Sequence, residues 1–120
     1  MDRNLKKYLH DILESINTID SFIAQKSREY NVFVNDVMFH SAVERKIEII
    51  GEAMNRILKI NPNIPISNAK KIVGTRNYVI HGYDSLESHI LWAIVINDLP
   101  ILKEEVSGLL NIEELSNHYD

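Results

Sequence analysis

The feature that most restricts the fold of this chain is the helical spacing of its apolar residues. In the first 26 residues they recur every three or four positions, which is the stripe of an amphipathic helix. These residues are Leu5, Tyr8, Leu9, Ile12, Ile16, Ile19 and Ile23. Only four glycines and three prolines occur among 120 residues, too few turn-forming residues for a small β-sandwich. The pattern predicts an all-α fold.

Two long helices are predicted in the first half of the chain. The first spans Asp2 to Lys26, and the second begins after Asp36, whose side chain suits an N-cap. The five residues 31–35 between them are predicted to be a connector or an early turn, although their composition also suits a short strand. The second helix carries a long apolar set: Val37, Val43, Ile47, Ile50, Met54, Ile57 and Leu58, with Met38, Phe39 and Ile49 beside it. A helix that is apolar on two sides is expected to be central or to face a partner chain.

Breakers divide the second half of the chain into two or three further helices. The segment Asn61–Pro65 contains two prolines and predicts a loop. Ser67 is the predicted cap of the third helix and Ser85 that of the fourth. Pro100 is predicted to kink the fourth helix or to begin a fifth, with Asp98 as its cap. The architecture predicted is an antiparallel bundle of four to five helices that forms a homodimer.

Size and composition restrict the class of protein further. The length predicts one domain, residues 1–110, followed by a polar C-terminal tail, residues 111–120. The net charge of −4 argues against a general nucleic-acid binder. The absence of cysteine excludes thiolate catalysis and cysteine-bound zinc. The histidines lack ligand spacing, so no metal and no cofactor are expected. No membrane span or signal peptide is recognisable, and a cytoplasmic protein is expected.

One segment departs from the acidic character of the chain. Between Pro62 and Tyr83 there is no Asp or Glu, whereas Lys70, Lys71 and Arg76 are present. This local positive field suits an anion such as a phosphate. Lys70 and Lys71 are therefore candidate contacts for RNA phosphates, the alternative being two solvated lysines.

Arg76 and His81 lie in this segment and supply two complementary chemistries. Arginine offers a permanent charge and a forked donor set for phosphate, and histidine exchanges a proton near neutral pH. Together they suffice for metal-free RNA cleavage by an attacking 2′-hydroxyl. Five residues of α-helix turn by about 140° net and rise about 7.5 Å, so the two side chains do not share a face. The spacing favours a composite site between two copies. The alternative is a surface ion pair and a helix-terminal histidine.

The segment resembles a known signature. Arg76-x4-His81-x-Tyr83 is similar to the motif of HepT-like toxins in the HEPN superfamily, which includes many metal-independent ribonucleases. Other blocks resemble the same family in the same order, and the similarity covers about residues 2–110. These blocks are Ala42–Ala53, Asn63–Pro65, Trp92 and Asp98–Pro100.

The resemblance implies a homodimer with Arg76 and His81 in the interface cleft. It also implies a minimal nucleotidyltransferase as antitoxin, which transfers AMP to Tyr83 and thereby blocks RNA binding. A supporting site role is expected for Asn77. Glu52 belongs to the second-helix signature and is expected either to orient Arg76 or to pack on the surface. The rival hypothesis is a non-catalytic HEPN module that docks to a nucleotidyltransferase and helps it to recognise a ligand.

Overall fold

The computed structural model describes residues 1–75 and 85–119, except for the side chains of residues 85, 86 and 115–119. No β-strand occurs in these two ranges, and the predicted all-α fold is confirmed. A π-helical segment, Ile94–Asp98, joins the last two α-helices without a break. The α-helices are α1 (Arg3–Gln25), α2 (Tyr30–Asn35), α3 (Val37–Ile60), α4 (Ala69–Gly74), α5 (Ser85–Ala93) and α6 (Leu99–Tyr119).

Both long helices of the first half begin after an aspartate cap, and the cap predicted at Asp36 is confirmed. The Asp2 carboxylate accepts hydrogen bonds from the backbone N–H groups of Asn4 at 2.8 Å and Leu5 at 3.0 Å. The Asp36 carboxylate accepts one from the N–H of Phe39 at 3.0 Å. These bonds satisfy donors that a helix leaves free in its first turn. The intervening segment 31–35 lies in the short helix α2, so the strand alternative is wrong.

Two ion pairs show in which direction α6 lies against α1. Lys103, near the start of α6, binds Asp20, near the end of α1, at 3.1 Å. The amino terminus at Met1 lies 3.5 Å from the Glu113 carboxylate, further along α6. The contacts run backwards along α6 as α1 advances, so this pair of helices is antiparallel, as predicted.

The core is built mainly from branched aliphatic side chains, and α1 packs against both α3 and α6. The predicted stripe of α1 is confirmed at its centre, because Leu9, Ile12, Ile16 and Ile19 are buried. At the start of α3, Val37 and Met38 are exposed, Met38 to 81%, so the alternative that this helix faces a partner chain stays a prediction. Among the described side chains, those of Phe33, Val43, Ile47, Ile50, Met54, Ile57, Ile72, Leu91 and Val106 are also fully buried.

The predicted break at Pro100 is a π-helical segment within one continuous rod. The backbone N–H of Leu99 donates to the carbonyl of Ile94, five residues earlier, which is the π-helical pattern. Pro100 follows at once, in the first turn of α6, where its missing N–H is tolerated. Asp98 is not a cap there, because it belongs to the π segment and its side chain binds another helix. The rod continues through the segment predicted as a polar tail as far as Tyr119.

The predicted cap of the third helix is also wrong. That helix, α4, begins at Ala69 and follows Asn68. Ser67 faces the rod instead, where its N–H and its hydroxyl each donate to the Glu105 carboxylate at 2.9 Å. A carboxylate that takes two hydrogen bonds is a stronger attraction for the serine than a free N–H in the first turn.

Candidate functional site

The predicted site residues divide into two groups. Arg76, Asn77, His81 and Tyr83 lie outside the described residues. Glu52, Lys70 and Lys71 lie inside them, on α3 and α4. The described chain ends at residue 75, immediately before the Arg76–Tyr83 motif, and resumes at residue 85, two positions after it. The geometry of the site can therefore be built from the elements that carry the two ends of the motif.

The helix that leads into the motif is anchored in the core. α4 buries Ala69 and Ile72, and the residue that follows it, Thr75, is also buried. The Thr75 hydroxyl donates to the carbonyl of Ile72 at 2.6 Å. That bond satisfies a hydroxyl that would otherwise cost free energy away from water. The backbone one residue before Arg76 is thus fixed against the core.

The two lysines of α4 differ in their surroundings. The Lys71 ammonium lies 3.0 Å from the carboxylate of Asp98 in the π segment, while the Lys71 side chain remains 60% exposed. Asp98 itself is only 8% exposed. Lys70 is exposed. Both lysines line a groove of 330 Å³ together with residues 62–69, and the nearby Asp98 carboxylate offsets the charge of Lys71.

The helix that leaves the motif is held by a buried polar network. Ser88 on α5 lies with its hydroxyl 2.8 Å from Nε2 of His40 on α3. The other ring nitrogen of His40, Nδ1, contacts the carboxylate of Glu44 one turn along α3. Ser88 is 1% and His40 3% exposed. The imidazole therefore links α3 to α5 five residues after Tyr83.

Burial governs the ionisation of this network. It raises the pKa of the Glu44 carboxyl, the neighbouring charge of His40 opposes the rise, and the negative charge of Glu87 adds to it. The hydrogen bond from the His40 imidazole also lowers the pKa of Glu44, because it stabilises the charged carboxylate. The Glu44–His40 contact is largely enclosed, with the His40 side chain 4% and the Glu44 side chain 14% exposed.

Aromatic rings reinforce the same junction. Tyr30 on α2 stacks on His89 with ring centroids 4.0 Å apart. Phe33, which is fully buried, stacks on Trp92 at 4.8 Å and on His40 at 4.6 Å. Trp92 is a packing residue, as its place in an apolar helix indicates. Stacked and tilted ring pairs of this kind stabilise a fold beyond the area they bury.

Glu52 lies in a separate groove between α1 and α3. The groove has a volume of 260 Å³ and contains Lys7, Tyr8 and Arg56. The Arg56 guanidinium lies 5.8 Å from the Tyr8 ring centroid, and its pKa is raised by its hydrogen bond to Tyr8 and by the charge of Glu52. Glu52 and the lysines of α4 therefore line different grooves.

Sequence reasoning overlooked three contacts that frame the motif. The His40–Glu44 contact has the i, i+4 spacing of a helical pair, and this spacing is visible in the sequence. The His40–Ser88 and Lys71–Asp98 contacts join residues far apart along the chain, and no local signal indicates them. No group of three or more metal-ligating side chains was found among the described residues. None of the described helices is long and apolar enough to cross a membrane.

Comparisons with known proteins agree on one family. The family model described as "Ribonuclease HepT-like" matches residues 12–109. A Methanocaldococcus jannaschii protein named "Putative RNase MJ1380" is 43% identical over 108 residues, which are 87% of this chain and 94% of that protein. A Thermococcus cleftensis protein named "Probable ribonuclease HepT" is 35% identical over 91% of this chain and 98% of its own length. No solved structure matches.

Proposed function

This chain belongs to the HepT-like ribonuclease family, and from that premise we propose that it is a metal-independent endoribonuclease and the toxin of a toxin–antitoxin pair. The observation that carries the proposal is the complete Arg76-x4-His81-x-Tyr83 motif in a chain that the family model matches over residues 12–109. The names of the relatives, which refer to ribonucleases, support the same reaction class.

The proposed chemistry is a transesterification within the RNA. His81 removes the proton from a ribose 2′-hydroxyl, and the resulting oxygen attacks the adjacent phosphorus. Arg76 stabilises the negative charge that develops on the phosphorane. The bond to the 5′-oxygen breaks, that oxygen receives a proton from a histidinium, and a 2′,3′-cyclic phosphate remains. The reaction consumes no water and requires no metal ion.

We place the catalytic groups at a homodimer interface. Five residues of α-helix turn by about 140° net, so the spacing of Arg76 and His81 along the sequence favours a cleft shared by two copies that face each other. A second copy also brings a second His81, and one can act as base while the other acts as acid. The firm attachment of α4 and α5 to the core supports this role, because composite sites need rigid carriers.

The proposed regulation is AMP transfer to Tyr83 by a nucleotidyltransferase antitoxin. A nucleotide two residues from His81 would add bulk and negative charge where the RNA phosphate binds, and both would exclude the substrate. Asn77 and Glu52 are proposed as supporting residues of the site, and Lys70 and Lys71 as candidate phosphate contacts. RNA and antitoxin would both be met in the cytoplasm.

The test is RNA cleavage by unmodified protein, verified by mass, in excess EDTA. We expect cleavage with 2′,3′-cyclic phosphate ends by the wild type and none by His81→Ala. The matched control is His10→Ala, because His10 is an exposed histidine on α1 and its removal should leave the rate unchanged. Full activity in His81→Ala would overturn the assignment. No cleavage of any RNA by the wild type would favour the non-catalytic binding module.

The modification site has its own test. Incubation with ATP and the nucleotidyltransferase should add AMP mass to the wild type and abolish cleavage, whereas Tyr83→Phe should gain no mass and remain active. AMP found on another residue would overturn the assignment of Tyr83.

A further inference from the structure

We propose that Asp98, acting through Lys71, is a positioning residue that holds α4 in the register from which the chain enters Arg76. The inference rests on the proposed function, because it assigns to this ion pair a part in the activity of the same site. It goes beyond the predicted role of Lys71, since the lysine would act by holding its helix as well as by attracting RNA.

Two polar contacts tie the α4 segment to the rod in a consistent register. Ser67 binds Glu105 through two hydrogen bonds of 2.9 Å, and Lys71 binds Asp98 at 3.0 Å. As the segment advances by four residues, its partner on the rod moves back by seven. Seven residues of α-helix return to within about 20° of the same face and span about 10.5 Å. The α4 segment therefore lies antiparallel to the rod, held at two points of one face.

A helix as short as α4 depends on such contacts. It has six residues, whereas isolated helices shorter than about 12 residues are marginal in water. Its described apolar anchors, Ala69 and Ile72, both face the core. Apolar contacts of this kind are not directional and permit small rotations, whereas ion pairs and hydrogen bonds fix an orientation. The two polar ties therefore set the angle at which α4 presents the residues that follow it.

The Asp98 carboxylate is the more informative member of the pair. Its side chain is nearly buried, and a buried carboxylate without a cation is strongly unfavourable. The partner, Lys71, approaches from a largely exposed position, so it can be removed without opening the core. Asp98 belongs to the π segment, and π segments occur frequently at functional sites. Lys71 lies five residues before Arg76, close enough for a rotation of α4 to displace the guanidinium.

The experiment compares three substitutions of exposed lysines with one substitution of the buried Asp98. Lys71→Met removes the charge and keeps the stem, Lys71→Arg keeps a charge that can reach Asp98, and Asp98→Asn is isosteric. Lys103→Met is the matched control, because it breaks another exposed lysine–aspartate pair, that of Lys103 with Asp20 at 3.1 Å, which joins α6 to α1. Each protein is measured for kcat and KM on RNA over a range of salt, and for amide hydrogen exchange along α4.

We expect Lys71→Met and Asp98→Asn each to lower kcat by about tenfold, less than the ~100-fold that a 1 Å misplacement can cost. In Asp98→Asn, which keeps the lysine charge, KM should change by less than about twofold. The double variant should lose no more kcat than either single one, because the two residues act as a unit. Lys71→Arg should restore kcat, and Lys103→Met should leave it unchanged.

Two results would overturn the proposal. One is a Lys71→Met protein with raised KM, unchanged kcat and a weaker salt dependence, beside a fully active Asp98→Asn protein; Lys71 would then be an RNA contact alone. The other is additive losses in the double variant. Hydrogen exchange separates this inference from the proposed function. If the wild type cleaves no RNA, faster amide exchange along α4 in both single variants would still support the positioning role of the Lys71–Asp98 pair, and unchanged exchange would refute it.

Discussion

Replacement of Ser88 by alanine tests whether the network behind the motif stabilises the fold. The substitution removes one hydroxyl and leaves Nε2 of His40 without the partner that lies 2.8 Å away. Ser88 and His40 are both buried, so water has poor access to Nε2 of His40 and cannot readily replace the serine hydroxyl. A buried polar group that loses its partner costs about 1–3 kcal/mol. We therefore expect Ser88→Ala to lower the free energy of unfolding by that amount.

The assay is urea unfolding followed by circular dichroism, with thermal unfolding beside it. At about 4 °C per kcal/mol for a domain of this size, the midpoint should fall by about 4–12 °C. Ser21→Ala is the control, because Ser21 is exposed on α1 and makes only a long 3.4 Å contact with Gln25. Its change should stay within about 0.5 kcal/mol.

A double-mutant cycle shows whether the loss comes from His40. In a His40→Phe background the Nε2 atom is absent, so Ser88→Ala should lower the free energy of unfolding by markedly less. We expect a coupling energy of about 0.5–3 kcal/mol between the two positions. A Ser88→Ala protein as stable as the wild type, or an equal cost in both backgrounds, would refute the reasoning.

Two further predictions concern the helix ends and interiors. The pKa of Asp36 is held below its usual value by the backbone N–H of Phe39 and by Lys26. The contribution of this carboxylate to the free energy of unfolding is therefore complete above about pH 4. It is lost as the pH falls through the lowered pKa. Asp36→Asn keeps a capping acceptor without the titration, and urea unfolding between about pH 5 and pH 2 should show a shallower loss of stability than the wild type; equal slopes would contradict this. Gly108 lies inside α6, and an added Cβ would meet no described atom within 4 Å. Gly108→Ala should therefore raise the free energy of unfolding by about 0.5–1 kcal/mol, and a decrease in the urea midpoint would show that the position is constrained.

The parts of the fold that depend on neighbouring residues were predictable from the sequence. The starts of α1 and α3 follow from Asp2 and Asp36, whose side chains bind N–H groups two or three residues away. The apolar stripe of α1 predicted its buried face. Val37 is exposed at the start of α3, and the sequence alone left open whether the apolar residues there face the core or a partner chain.

The parts that depend on distant residues could not be predicted. Serine is a residue type that often caps helices, but Ser67 binds the carboxylate of Glu105, 38 residues away, instead. Asp98 looks like a cap before Pro100, but a π turn keeps the helix continuous and Lys71 takes its carboxylate. For the candidate site, the sequence motif indicated the reactive residues, whereas the contacts that anchor its two ends became visible only in three dimensions.

The π segment also takes up one extra residue without turning the two halves of the rod relative to each other. The hydrogen bond from Leu99 to Ile94 spans five residues, whereas each hydrogen bond of an α-helix spans four. Loss of a single residue between Ile94 and Asp98 would therefore leave an ordinary α-helix in which Leu102, Val106 and Leu110, now buried, keep their face. Loss of one residue from α6 itself would instead turn everything that follows by about 100°. Within the rod, these five positions are therefore the ones at which the length of the chain can change by one residue without moving the buried face.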